Sequence, residues 1–147
     1  MHPMQSLAHV LQWAGPDLAH NLDFIPDDKL DWKPAPDAKS ALGCAAEAAY
    51  FMRAMIGVLA GQEMQMSIPE NLTRAMVQEE LRSASKEYAE ALCQIPPETL
   101  GNQMTMPFGT FPLAQIAGFP VIDVLHHRGQ ICYIQTLLGD TENHFLL

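Results

Sequence analysis

PVIDVLHHRGQICYIQTLLG, residues 120–139, is the stretch that decides the fold. Val121, Val124, Leu125, Ile131, Ile134, Leu137 and Leu138 recur at spacings of three and four, the apolar period of a helix. Gly139 supplies the residue at which a left-handed C-cap costs least. Asp123 and His127 stand one turn apart on this helix, about 40° around its axis, with Cβ atoms roughly 5–6 Å apart. A carboxylate and an imidazole in that arrangement can close on one metal ion. His126 is the rival. It lies about 100° from His127, so the two do not easily share an ion, and its three-residue offset from Asp123 allows an Asp123–His126 pair instead.

Working back from this helix, Gly118-Phe119-Pro120 predicts a kink one turn before Asp123. Residues 96–112, PPETLGNQMTMPFGTFP, break the helical period. Gln103–Met106 alternates, and Phe108-Gly109-Thr110-Phe111 reads as a turn between short extended pieces. Pro112 suits the first turn of the last helix. A third helix is expected over residues 70–94, with Leu72, Met76, Leu81, Ala84, Tyr88 and Leu92 as its apolar stripe. Glu79, Glu80, Arg82, Lys86 and Glu87 form its solvated face.

The second helix, residues 40–60, starts at Ser40, an N-cap residue. From Ala41 to Tyr50 every residue except Glu47 is small or apolar. A carboxylate so surrounded is either buried, hence paired or metal-bound, or set on a narrow polar edge. The first helix covers residues 4–24 through Leu7, Val10, Leu11, Ala14, Leu18 and Leu22, and Gly15-Pro16 predicts a kink or short break in it. Its His9 and His20, eleven residues apart, form no chelating pair. Three prolines make residues 26–38 a connector, with Trp32 as the group that pins it to the bundle end. Four helices with long connections between them predict an all-α four-helix bundle.

Two motifs together carry a family resemblance: Trp32-Lys33-Pro34-Ala35-Pro36 followed by Lys39-Ser40, and His127-Arg128-Gly129-Gln130 ahead of a helix ending in Leu137-Leu138-Gly139. The chain resembles the DinB-like (DinB/YfiT) family, small four-helix bundles whose members usually hold a divalent metal on three histidines. The resemblance implies a single DinB-like domain over residues 1–147. It places one ligand in the second helix, at Glu47, and two in a late H-x-x-x-H-R-G-Q pattern, at Asp123 and His127. It also implies a loop over the mouth of the site and a homodimer formed by helix packing. The activity it implies is metal-dependent: hydrolysis, or transfer of a low-molecular-weight thiol to an electrophilic small-molecule substrate.

In this chain carboxylates stand at two of the three family histidine positions. One imidazole with two carboxylates is a harder donor set than three imidazoles, which favours manganese or iron(II) beside zinc and nickel. The alternative is a degenerate metal site, with Glu47 salt-bridged to Arg53 or Arg128. The bundle would then be a non-catalytic small-ligand-binding or stress-associated module, using a methionine-bearing groove between helices two and four.

Composition narrows the classes further. The chain has 147 residues, of which 48% are hydrophobic, enough for one well-buried core. Seventeen acidic residues against eight basic ones give a net charge of −9, which disfavours nucleic acid and anionic membrane surfaces as partners. Cys44, Cys93 and Cys132 are odd in number and widely spaced, and predict free thiols in a reducing cytoplasm. The N-terminus has no signal-peptide pattern, and no uninterrupted apolar run approaches the ~20 residues of a membrane span. Nine methionines and broad apolar faces leave surplus apolar surface, which predicts a two-fold homodimer. No phosphate-binding glycine loop or G-x-S-x-G nucleophile motif occurs.

Overall fold

The computed structural model describes residues 1–146. Its helices are α1 (Gln5–Asn21), α2 (Ala41–Leu59), α3 (Arg74–Leu92) and α4 (Leu113–Leu137), and an antiparallel hairpin of β1 (Gln103–Met106) and β2 (Gly109–Pro112) precedes α4. The fold is therefore the expected helical bundle, with the alternating Gln103–Met106 segment paired against residues 109–112.

Local chemistry sets the ends. Ser40 Oγ accepts from the Gly43 amide at 3.1 Å and starts α2. Thr73 does the same for α3, accepting from Met76 N–H at 3.3 Å, so α3 begins at Arg74, later than the expected residue 70. Pro112 stands at the N-cap of α4 and not within its first turn. Gly139 has φ +97°, and the Asp140 amide donates back to the Gln135 carbonyl at 3.0 Å, closing α4 in the left-handed cap its sequence predicts.

The glycine-proline pairs break neither helix: α1 runs through Gly15-Pro16 and α4 through Gly118-Phe119-Pro120. Gly15 is instead the point where α1 meets α3. A Cβ built there would lie 1.6 Å from Ser85 Oγ and 2.6 Å from Ser85 Cβ, so only glycine allows this approach. In α4, the Tyr88 hydroxyl donates to the Ala117 carbonyl at 3.1 Å and ties the proline-containing turn to the core.

The α3 seam also differs from expectation. Val77, Leu81, Ala84, Tyr88 and Leu92 are fully buried, whereas Met76 is 48% exposed. Val77, one residue and about 100° further round, takes the inward position.

α1 and α2 each pack on α3 and α4, so they sit diagonally with little contact between them. Arg128 meets Asp17 and Gln135 meets Asn21, so α1 and α4 run parallel. Phe51 lines a pocket with Phe119 and Ile122, while Cys44 lines another with Gln130 and Ile134, so α2 runs antiparallel to α4. Parallel neighbours require long crossover connections, and the chain supplies them.

α2, sandwiched between α3 and α4, is apolar nearly all round. By length and composition it could cross a membrane, yet 56% of its most apolar window is buried inside the bundle. Glu47 and Arg53 interrupt the run in the sequence. α4 is apolar on two faces. Val121, Val124, Ile131 and Ile134 point inward, whereas Leu125 and Leu137, expected in that stripe, are exposed together with Ile122 and Tyr133. Cys44, Cys93 and Cys132 are all free.

Candidate metal centre

The α2–α4 seam brings Glu47, Asp123 and His127 together. His127 is 3% exposed, and its Nε2 lies 3.4 Å from Asp123 Oδ1 and 3.6 Å from Glu47 Oε2. His126 is exposed and lines a surface pocket with Asp123, whereas His127 is the histidine that pairs with Asp123 inside the seam.

The other nitrogen of the ring sets its orientation. His127 Nδ1 lies 2.7 Å from Gln130 Oε1. An amide oxygen can only accept, so Nδ1 carries the hydrogen and Nε2 faces the two carboxylates. Burial alone would lower the His127 pKa. The hydrogen bonds with the Asp123, Cys44 and Gln130 side chains and the Asp123 charge outweigh it, and the pKa is pushed up to about 10. In the metal-free chain a proton thus occupies the imidazole edge that faces the carboxylates.

The donor set suits a divalent ion. Asp123 Oδ2 is buried and receives no hydrogen bond, and the buried Glu47 Oε2 has the Lys39 ammonium as its partner. Ligand atoms about 2.1 Å from a tetrahedral ion lie about 3.4 Å apart, close to the two separations from Nε2. Among the described residues, no three His, Cys, Asp or Glu side chains stand, as the structure has them, in an arrangement that holds a metal ion, Glu47, Asp123 and His127 included. Glu47 is the member farther from the imidazole, and its Oε2 lies against the Lys39 ammonium. Lys39 was not legible as a partner, because it lies outside the helix in a proline-rich connector.

The salt bridges considered for Glu47 do not form. Arg53 pairs with Glu80 at 2.6 Å and with Glu87. Arg128 pairs with Asp17, which is fully buried on α1. Asp17 Oδ1 also accepts the Leu146 amide at 2.6 Å, and the Arg128 guanidinium lies over the Phe145 ring, 4.8 Å from its centroid. His127-Arg128-Gly129-Gln130 therefore works in two directions. His127 and Gln130 form one unit at the α2 seam, and Arg128 clamps α4 and the C-terminal tail to α1.

Two pockets flank the seam. One of about 410 Å³ is lined by Phe51, Phe108, Phe119, Ile122, Asp123 and His126. Phe108, at the tip of the β1–β2 hairpin, packs with Phe111 and Phe119 at ring separations of 6.0 and 5.7 Å, which sets the hairpin beside Asp123. The other, about 370 Å³, includes Lys39, Cys44, Gln130 and Tyr133. A further apolar cavity includes one methionine. Of about 450 Å³, it sits beside Met104 and Leu113, against α2 residues 56–60 and the end of α3.

Comparison with known proteins agrees with this architecture. The crystal structure of YjoA, a DinB-like protein from Bacillus subtilis, superposes with a TM-score of 0.74 at 15% identity, covering 93% of this chain and 94% of that one. No curated protein matches the sequence. The model of the DinB superfamily matches residues 11–131, a span that includes Glu47, Asp123 and His127 and most of the bundle; the chain belongs to the DinB superfamily.

Proposed function

We propose that this chain is a metal-dependent enzyme that holds a divalent ion with Glu47, Asp123 and His127. It acts on an electrophilic small molecule, by hydrolysis or by transfer of a low-molecular-weight thiol. The observation that carries the reading is the convergence of the His127 Nε2 edge on two carboxylates, with the opposite ring nitrogen held by Gln130. When bound, such an ion stabilises the attacking oxygen or sulfur anion. Gln130 fixes the imidazole tautomer and plane. Phe51, Phe108 and Phe119 offer an apolar bed beside Asp123 for the non-reacting part of the substrate. The three free thiols support residence in a reducing compartment, the cytoplasm.

Metal analysis of protein purified without chelator tests the proposal. About one equivalent of manganese, iron, zinc or nickel per chain is expected, with loss on His127→Gln. Less than a tenth of an equivalent, and no uptake on titration, would exclude it. Asp123→His restores the family residue and is expected to tighten zinc or nickel by on the order of tenfold, because imidazole suits these borderline ions better than carboxylate. Unchanged affinity in calorimetric titration would mean that position 123 does not face the ion.

A second reading has its own observation. The 450 Å³ cavity beside Met104 is lined largely by Ile56, Val58, Leu59, Ile95 and Leu113, and could hold an apolar ligand without any ion. Ligand-induced stabilisation that survives chelation and Glu47→Ala would favour it.

The chain is further proposed to form a two-fold dimer through α4. Ile122, Leu125, Tyr133 and Leu137 are exposed along one face, and Gly129 between them has open space above its Cα. A helix from a second copy could approach closely there. Light scattering should give twice 16.3 kDa at micromolar concentration. Tyr133→Glu should return the monomer mass.

A further inference from the structure

We infer that Lys39 is a resident counter-cation of the site, which occupies Glu47 in the metal-free protein and competes with the divalent ion for it. The inference rests on the metal-binding reading above and deepens it. Its basis is the placement of one ammonium. Lys39 leaves the proline-rich connector one residue before the Ser40 cap, and its Nζ lies against Glu47 Oε2. That oxygen is the one that faces His127 Nε2 at 3.6 Å, and it is buried with the ammonium as its partner.

Other cations near the seam are committed elsewhere: Arg53 to Glu80 and Glu87, and Arg128 to Asp17. Lys39 is not so tied: among the described residues, Glu47 is the carboxylate it pairs with. Its side chain is 53% exposed. It can therefore leave Glu47 for solvent at little cost, as an exposed ion pair is weak.

The consequence is an exchange of one cation for another. An ion that takes Glu47 must displace the ammonium or accept a positive neighbour at short range. Either way the lysine lowers affinity, and the effect concerns the ion more than the fold. The displaced ammonium stays on the rim of the 370 Å³ pocket that also includes Cys44, Gln130 and Tyr133.

The test is titration of chelator-treated full-length protein with manganese(II) and with zinc(II), followed by calorimetry, for the parent, Lys39→Met and Lys39→Arg. Lys39→Met should bind each ion more tightly by up to about fivefold, the scale of a weak, half-exposed ion pair. Lys39→Arg should stay close to the parent. The same Lys39→Met change made in a Glu47→Gln background should bring a clearly smaller gain, because competition for the shared carboxylate is gone and only like-charge repulsion remains. Circular dichroism of each variant confirms the bundle. Metal binding that is present but unaltered by Lys39→Met overturns this inference alone, as does an equal gain in the Glu47→Gln background. Absence of binding in both parent and Lys39→Met overturns it together with the reading on which it rests. Binding in Lys39→Met where the parent binds nothing supports the inference and limits the enzymatic reading.

Discussion

Arg128→Met is expected to lower the unfolding free energy by about 3–5 kcal/mol, the scale found when one partner of a buried ion pair is removed. Asp17 is fully buried on α1, and Arg128 is its cationic partner. Without the guanidinium, the carboxylate keeps the Leu146 amide but remains charged in a closed space. The variant also loses the stacking of the guanidinium over Phe145, so the C-terminal tail should loosen. For a domain of this size the melting temperature should fall by on the order of 10 °C. The double variant Asp17→Leu with Arg128→Met should recover much of the loss, since replacing both members removes the stranded charge. Urea unfolding read by circular dichroism checks both. A loss under about 1 kcal/mol would mean that the pair behaves like a surface pair exchanging with water.

The stability of the metal-free protein should fall as pH rises above neutral. His127 has its pKa raised from 6.5 to about 10 by Asp123, Cys44 and Gln130 against the opposing pull of burial. Because the folded value exceeds the unfolded one, folding binds a proton between them. The stabilisation is complete below pH ~6.5 and is lost as pH rises toward 10. Its size is several kcal/mol, at most about 5. Unfolding curves with chelator at pH 6, 8 and 10 should show this decline, and His127→Gln should flatten it. Saturating zinc should reverse the slope near neutrality, since the ion requires the unprotonated nitrogen. A parent protein whose pH slope matches that of His127→Gln would show that the carboxylates do not hold the imidazole proton.

Periodicity and caps carried most of the architecture. Ser40, the stripe through Leu81, Ala84, Tyr88 and Leu92, and the alternation in Gln103–Met106 each encode their element within a few residues. What they could not encode was contact between distant segments. Gly15-Pro16 looks like a helix breaker until Ser85 of α3 is placed against it, and then the glycine is seen as a contact surface. Leu125 and Leu137 fit the inward period of α4, yet the helix is apolar on two faces and the pattern does not say which one meets the core. At the site, the i, i+4 pair Asp123–His127 was readable because its geometry is local. Gln130 was visible as a neighbour, but its grip on Nδ1 depends on the ring's rotamer. Lys39 and Asp17 were hidden, one in a connector and the other on a helix whose partner lies more than a hundred residues away.

The diagonal placement of α1 and α2 bears on the order in which the chain acquires its shape. As synthesis proceeds, the first two helices emerge without being able to cover each other, since each needs α3 and α4. Their apolar flanks must wait for the third helix, which closes half of the bundle. The last helix then arrives parallel to the first, bringing contacts across long sequence separations that slow folding. Glu47 is made early and Asp123 and His127 some eighty residues later, so the three groups proposed to hold an ion meet only once the fourth helix has been made. A newly made copy would thus spend its most adhesive interval before its fourth helix arrives, with Asp27, Asp28, Asp31 and Asp37 of the connector as the main charges beside the two exposed helices.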